Sequence, residues 1–227
     1  MKNHYVIGCG GIGSWLAPSL CLLVKPNNII LVDGDKLEEK NLNRQLFTED
    51  EVGQFKSSAL SARYMSASIP EYYSFGSIQH NPTDWLFVCV DNNPARLAAL
   101  RACDHYGCSA IIAANETTSS EAYFYSPKWK DTGLDPRVYY PEIATDHSND
   151  PQLRAGCTGE AQERNVQLVT SNTMAASLAA HLYTLWGMRA STITGDILCK
   201  MPHLYRANIS RLESITIQNK NNERKHE

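Results

Sequence analysis

The sequence predicts an α/β fold of the Rossmann-like, doubly wound kind: a mainly parallel sheet with antiparallel edge strands. Three observations carry this. The short apolar runs at 5–7, 29–32, 85–90 and 109–114 are continuous rather than alternating, as in parallel strands buried on both faces. Stretches of helical period stand between them. The first run passes directly into Gly8-Cys9-Gly10-Gly11-Ile12-Gly13, a glycine spacing that joins strand to helix in βαβ units.

Taken in order, residues 5–7 form the first strand. Ile12, Leu16, Leu20 and Leu23 then recur at helical spacing until Pro26-Asn27-Asn28 breaks the pattern. Residues 29–32 form the second strand, which ends at Asp33-Gly34-Asp35 and completes a βαβ unit. Residues 35–51 read as a polar ordered loop, 52–69 as a helix stopped before Pro70, and 72–78 as a strand. The run at 85–90 is another strand, ending at Asp91-Asn92-Asn93. Pro94 suits the first turn of a helix reaching about Tyr106. Residues 109–114 are a buried strand, and 122–125 an edge or antiparallel one.

From 126 to 153 the composition turns polar and rich in proline and glycine, which predicts a long surface loop. A short helix-like stretch follows at 160–165. A helix at 171–186 carries Met174, Leu178, Leu182 and Leu185 on one stripe and is stopped by Gly187. Strands are expected at 191–198 and 204–209. Residues 1–217 are read as one domain, with 126–157 as its crossover loop and 218–227 as a polar tail.

The 227 residues suffice for a single core, and 43% apolar with 20% charged is ordinary for a globular chain. A formal charge of −3 supplies no diffuse basic field for nucleic acid or anionic membrane. Seven cysteines without a C-x-x-C pair argue against a knuckle-type zinc site and a dense disulfide framework. With neither a signal pattern nor a membrane-length apolar run, the expected compartment is the cytoplasm.

Gly8, Gly10 and Gly13 between strand and helix form a phosphate cradle, because glycine lets the backbone approach a phosphate and the helix start adds unpaired N–H groups. Asp33, twenty residues beyond Gly13, can accept hydrogen bonds from both ribose hydroxyls. These features alone say nucleotide and leave NAD, FAD and ATP open. Asn41-Leu42-Asn43-Arg44-Gln45 and Gly53-Gln54-Phe55-Lys56 then place an arginine and a lysine near the ribose carboxylate. Such cations suit a triphosphate. Asp91, at the carboxyl end of a parallel strand, suits magnesium held by one carboxylate, phosphate oxygens and water. It could equally cap the helix opening at Pro94. Asp35 could support the site or only the turn, and Gln45 orders the loop.

The combination G-x-G-G-I-G, D-G-D, N-L-N-R-Q, G-Q-F-K and C-V-D-N resembles the ThiF/MoeB family, adenylating relatives of ubiquitin-activating enzymes. The likeness covers residues 5 to about 125; Arg96 also matches, and the chain after Cys157 is similar more loosely. The resemblance implies ATP-dependent adenylation of the C-terminal glycine carboxylate of a small ubiquitin-like β-grasp protein. Asp33 would hold the ribose, and Asn41, Arg44 and Lys56 the phosphates. Asp91 would hold Mg2+, with Gly11, Asp35, Gln45 and Asn92 lining the nucleotide site. A homodimer is implied as well.

Cys157, within Arg154-Ala155-Gly156-Cys157-Thr158-Gly159, is either a thioester nucleophile on the crossover segment or structural. As a nucleophile it would pass the carrier to a conjugating enzyme or a sulfur acceptor. The other cysteines read as small buried hydrophobes. The chain begins at its first strand, so the N-terminal arginine helix of many relatives is expected to be missing or replaced. Rival readings are a tRNA threonylcarbamoyladenosine dehydratase-like enzyme, a non-catalytic adaptor half of a heterodimer, and a flavin or nicotinamide oxidoreductase. The absence of a basic domain weighs against tRNA.

Overall fold

The computed structural model describes residues 2–116, 118–146, 169–189 and 203–208. Its seven-stranded sheet has the order β3-β2-β1-β4-β5-β6-β7. β1 (His4–Ile7), β2 (Ile29–Val32), β3 (Ala67–Ile69), β4 (Trp85–Val88) and β5 (Ser109–Asn115) are parallel. β6 (Ser119–Tyr125) and β7 (Leu204–Asn208) add antiparallel strands at one edge. This is the doubly wound, mainly parallel architecture that the apolar runs predict.

The continuity of those runs follows from burial on both sides. Val6, Phe87, Ile111 and Phe124 enter the core on one face, while Tyr5, Leu86, Ile112 and Tyr123 enter the other. α1 (Gly13–Leu23), α2 (Lys56–Tyr64) and α6 (Val169–Tyr183) cover the first face. α3 (Asn93–Tyr106) covers the second, with a short α5 (Glu142–Thr145) beside it. Neither face of a central strand meets water, so no polar alternation appears. Each fully buried large side chain contributes roughly 1.5–3 kcal/mol.

Four elements differ from the sequence expectation. α2 is shorter than 52–69, because Gly53 takes a φ of 88° and Phe55 bridges to Lys36 before the helix starts. At its other end Met65 turns left-handed with a φ of 53°, releasing residues Ala67–Ile69 to pair with β2 as the third parallel strand. The strand expected at 72–78 therefore does not form. That stretch turns at Gly76, and Tyr73 sinks into the core with its hydroxyl 2.9 Å from His80 Nε2.

The third difference is the expected surface loop, which up to Asp146 is built into the fold. A turn at Pro127–Trp129 leads to α4 (Pro136–Tyr139) and then α5. Arg137 fastens this segment. Its guanidinium donates to Asp104 Oδ2 at 2.7 Å, to the Tyr125 hydroxyl at 2.7 Å and to Asp135 Oδ2 at 2.8 Å. Gly187 does not stop the last helix either: Thr184–Arg189 continues as a π-helix. The helix-like stretch at 160–165, the strand at 191–198 and the tail at 218–227 lie outside the described residues.

Asp135 is 1% exposed at its side chain and Arg137 15%, so removing the guanidinium takes the counter-charge from a buried carboxylate and leaves it the Asp131 and Arg137 N–H groups at 2.9 Å. Arg137→Ala is expected to lower the unfolding free energy by about 3 kcal/mol or more. Urea denaturation measures this, and a change below about 1 kcal/mol would show that the segment is held otherwise.

Candidate nucleotide site

The site is built at the carboxyl ends of β1, β2 and β4. β1 lies between the other two, where the strand order reverses, and this is the crevice in which open α/β sheets bind ligands. Gly8 has a φ of 89°, and a Cβ there would stand 2.8 Å from the carbonyl oxygen of Cys89. A Cβ on Gly13 would stand 1.9 Å from the carbonyl oxygen of Gly8. Packing alone thus requires both glycines. Gly10 differs: its φ is not positive, and among the described residues a Cβ would find only Gln45 Nε2, at 3.6 Å. The backbone there is bare without any internal demand, as a cradle for a close ligand would be. Gly11 completes the turn.

Asp33 ends β2 and is buried. Its Oδ2 accepts the Cys9 N–H at 2.6 Å and its Oδ1 the Asp35 N–H at 2.8 Å, which ties the end of β2 to the glycine turn. Burial pushes its pKa up to about 6; Lys56 pulls it down and Asp35 pushes it up. Each carboxylate oxygen retains acceptor capacity for a ribose hydroxyl.

Lys56 opens α2 with a side chain only 8% exposed, so it is not a solvated surface charge. Its Nζ donates to Asp35 Oδ2 at 3.0 Å, and the Tyr72 hydroxyl donates to Asp35 Oδ1 at 2.6 Å. Asp35 therefore seats the lysine as well as shaping the turn.

The loop holding Asn41, Arg44 and Gln45 is closed from within. Asn41 is buried and its Oδ1 accepts the Glu38 N–H at 3.1 Å, completing a capping box, so that oxygen serves loop structure. Gln45 is buried, and its Oε1 has no hydrogen-bond partner among the described residues. A buried orphan acceptor beside Gly10 fits a donor brought by a ligand. The Arg44 guanidinium rests on the Lys40 carbonyl at 2.8 Å and Asn43 Oδ1 at 3.2 Å. Among the described residues it forms no ion pair. Its backbone is gripped by other elements. The Arg44 carbonyl accepts from Trp15 Nε1 at 3.3 Å and Asn172 Nδ2 at 3.1 Å, and the Leu46 N–H donates to Ser14 Oγ at 3.0 Å.

Asp91 follows β4, is exposed, and makes no hydrogen bond or ion pair among the described residues. The cap of α3 falls to Asn92 instead, whose Oδ1 accepts the Ala95 N–H at 2.9 Å. Arg96 Nη2 holds the Val90 carbonyl at 3.1 Å and so braces the turn that carries Asp91. No three His, Cys, Asp or Glu side chains gather among the described residues. A divalent cation on Asp91 would thus complete its shell with phosphate oxygens and water.

Cys9, Cys89, Cys103 and Cys108 are buried free thiols, as expected of small hydrophobes, whereas Cys21, expected to be buried, is only half-buried near the end of α1. Burial pushes Cys89 up to about 12 and raises Cys9 and Cys103, keeping them protonated. Cys157 and Cys199 lie outside the described residues. Sequence reasoning assigned no role to Asn172 or to Ser14 beyond its glycine-loop context. Both are polar residues in the first turn of a helix, where the sequence alone does not set them apart from neighbours such as Ser171 and Thr173.

Fold and site together define a class: a Rossmann-like α/β protein with a glycine-rich turn at its topological switch point. A family model described as the ThiF family matches residues 2–225, and the chain belongs to that family. Ubiquitin-like modifier-activating enzyme 5 of Drosophila persimilis is 32% identical over 126 residues, covering 45% of this chain and 32% of that protein. The Aedes aegypti protein of the same name is 33% identical, covering 45% and 31%. Among solved structures, E. coli MccB with MccA-N7isoASN aligns at a TM-score of 0.63 and 19% identity, over 96% of this chain and 63% of that one. E. coli MccB with ATP aligns at 0.59 and 20% identity, again over 96% and 63%. The chain thus spans about a third of these curated relatives and under two thirds of MccB. No helix among the described residues is long and apolar enough to cross a membrane.

Gly10→Ala is expected to fold with an unchanged Tm and to bind MgATP about tenfold or more weakly, read by calorimetric titration. Unchanged affinity would show that no ligand approaches the backbone there. Asp33 supplies a pH test. Its carboxyl rises from 3.8 to about 6 on folding, so the folded chain holds the proton more tightly than the unfolded one. Its stabilising contribution is full below about pH 4 and lost as the pH rises through about 6. The Tm of the wild type should therefore fall relative to Asp33→Asn across that window. A constant offset would place the carboxyl at its ordinary value.

Proposed function

We propose that the chain adenylates the C-terminal glycine carboxylate of a small ubiquitin-like β-grasp protein, with ATP as co-substrate and Mg2+ bound at Asp91. The observation that supports this best is the bare backbone at Gly10 beside the orphan Gln45 Oε1. Lys56, buried and ion-paired, opens α2 just after the loop that follows β2, and Asp91 follows β4, exposed and unpaired among the described residues. Family membership and the names of the relatives point the same way.

A carboxylate oxygen of the carrier attacks the α-phosphorus of ATP. The bond from that phosphorus to the bridging oxygen breaks, pyrophosphate leaves, and the carrier ends in an acyl adenylate. The protein has little covalent work to do; it aligns the two substrates and neutralises charge. Backbone N–H groups of Gly10, Gly11 and Gly13 donate to phosphate oxygens, while the Gly8 N–H is spent on the Val32 carbonyl at 2.9 Å and Gly8 serves the close approach of the turn; Asp33 accepts from the ribose hydroxyls. Arg44 and Lys56 face the phosphates, joined by the amide nitrogen of Asn41. Gln45 accepts a hydrogen bond from the nucleotide, while Asp35 and Asn92 shape the surround. The metal supplies Lewis-acid charge stabilisation and a template for the phosphates.

A second step is proposed on Cys157. Its thiolate attacks the acyl carbonyl, AMP leaves, and a thioester results that a conjugating enzyme or a sulfur acceptor then takes. A homodimer is the proposed assembly. E. coli MccB is solved together with MccA-N7isoASN, and an MccA-like peptide is therefore the alternative substrate in the test.

The experiment is ATP–pyrophosphate exchange with glycine-ended β-grasp carriers, followed by intact mass spectrometry. Carrier-dependent exchange and an AMP-sized adduct are expected. Asp91→Ala should cut exchange on the order of 100-fold, as removal of a group stabilising transition-state charge does, with Tm unchanged. Cys157→Ala should keep exchange and lose a thiol-sensitive enzyme–carrier adduct. Full exchange in Asp91→Ala removes the metal role, and exchange with an MccA-like peptide alone removes the β-grasp assignment.

A further inference from the structure

Among the described residues, the Arg44 guanidinium is held only by local partners, and the Arg44 backbone by distant ones. The distant contact that reaches furthest along the chain comes from Asn172, 128 residues away, in the first turn of α6. Asn172 is 0% exposed, and a carboxamide so buried is costly unless both its ends are bonded. Both are. Nδ2 donates to the Arg44 carbonyl at 3.1 Å, and Oδ1 accepts from Asn115 Nδ2 at 3.0 Å. A carbonyl can only accept, so the Arg44 contact dictates which way Asn172 faces, and that in turn dictates Asn115.

Docking of α6 on the sheet does not explain the pair. The first turn of α6 is already fastened to β6 by Ser120 Oγ, which donates to the Ser171 carbonyl at 2.8 Å without reaching Arg44. The Asn115–Asn172 relay adds something else: it connects the carboxyl end of β5 to the peptide after the Arg44 side chain. Trp15 meets the same carbonyl from α1 at 3.3 Å. The carbonyl of Arg44 is thereby clamped between α1 and α6, and the direction in which its side chain leaves the loop is set.

We propose that Asn172, oriented by Asn115, is a positioning residue that aims Arg44 at the phosphates of the nucleotide. This rests on the nucleotide role of Arg44 proposed above. Asn172 touches no substrate; its effect passes through Arg44.

The test is calorimetric titration of the full chain with MgATP, together with Tm measurements. Asn172→Ala is expected to weaken MgATP binding about 5- to 10-fold, within the range of coupling between residues in direct contact. In an Arg44→Ala background the same change should add less than about twofold. Ser120→Ala should lower Tm and leave MgATP affinity at the wild-type value, since it loosens α6 without touching Arg44. Asn115→Ala, a half-buried change, should weaken binding in the same direction as Asn172→Ala and serves if Asn172→Ala does not fold. Additive losses with Arg44→Ala, an equal loss in Ser120→Ala, or wild-type affinity in Asn115→Ala would each overturn the proposal. If Arg44→Ala itself binds MgATP like the wild type, the nucleotide role of Arg44 fails and this inference with it. If Arg44→Ala is weak and Asn172→Ala is not, the inference alone fails.

Discussion

The carbonyl oxygen of Gly8 stands where a side chain on residue 13 would begin. That close approach of the start of α1 to the end of β1 is the constraint on which the site depends. It lets the chain reverse from strand to helix within five residues and brings the turn against both neighbouring strands. On one side Cys89 at the end of β4 presses against Gly8; on the other Asp33 at the end of β2 reaches the Cys9 N–H. Three strand ends are thereby locked together around one turn. Any residue larger than glycine at 8 or 13 would push them apart.

Around this turn the charges form an alternating series. Asp33 is buried and its acidity weakened, yet two backbone N–H groups and a nearby Lys56 support its charge. Lys56 is matched in turn by the half-exposed Asp35, which Tyr72 steadies. A buried charge without such partners would neutralise rather than persist. The Arg44 side of the site works differently. There the backbone is clamped by α1 and α6, while the guanidinium, among the described residues, touches only its own loop.

Much of this was legible in local pattern. Continuous apolar runs marked four parallel strands, because a strand covered on both faces has no polar positions to alternate. The glycine spacing and Asp33 marked the turn and its acceptor. Patterns failed where two local readings competed. Helical periodicity continued past Met65, and only the chance to pair with β2 turned residues 67–69 into a strand. Asp91 and Asn92 were both capable caps for α3; the geometry of the turn gave the role to Asn92 and left Asp91 exposed. Proline and glycine from 126 onward signalled a loop, whereas Arg137 fastens that segment to α3.

What the sequence by itself determined was whatever depends on covalent spacing: the strand–turn–helix, the cations two short motifs apart, the acceptor ending β2, and membership in a family defined by those motifs. What only the tertiary structure decided was which polar groups meet across the chain. Asn172 has nothing in its own helix to explain it, and its partner lies 128 residues earlier. Asn41 and Gln45 look alike as loop carboxamides, but one oxygen closes a capping box and the other has no donor among the described residues. Hydrogen bonds act over about 3 Å, so such pairings exist only once the sheet has fixed where each helix and loop comes to rest.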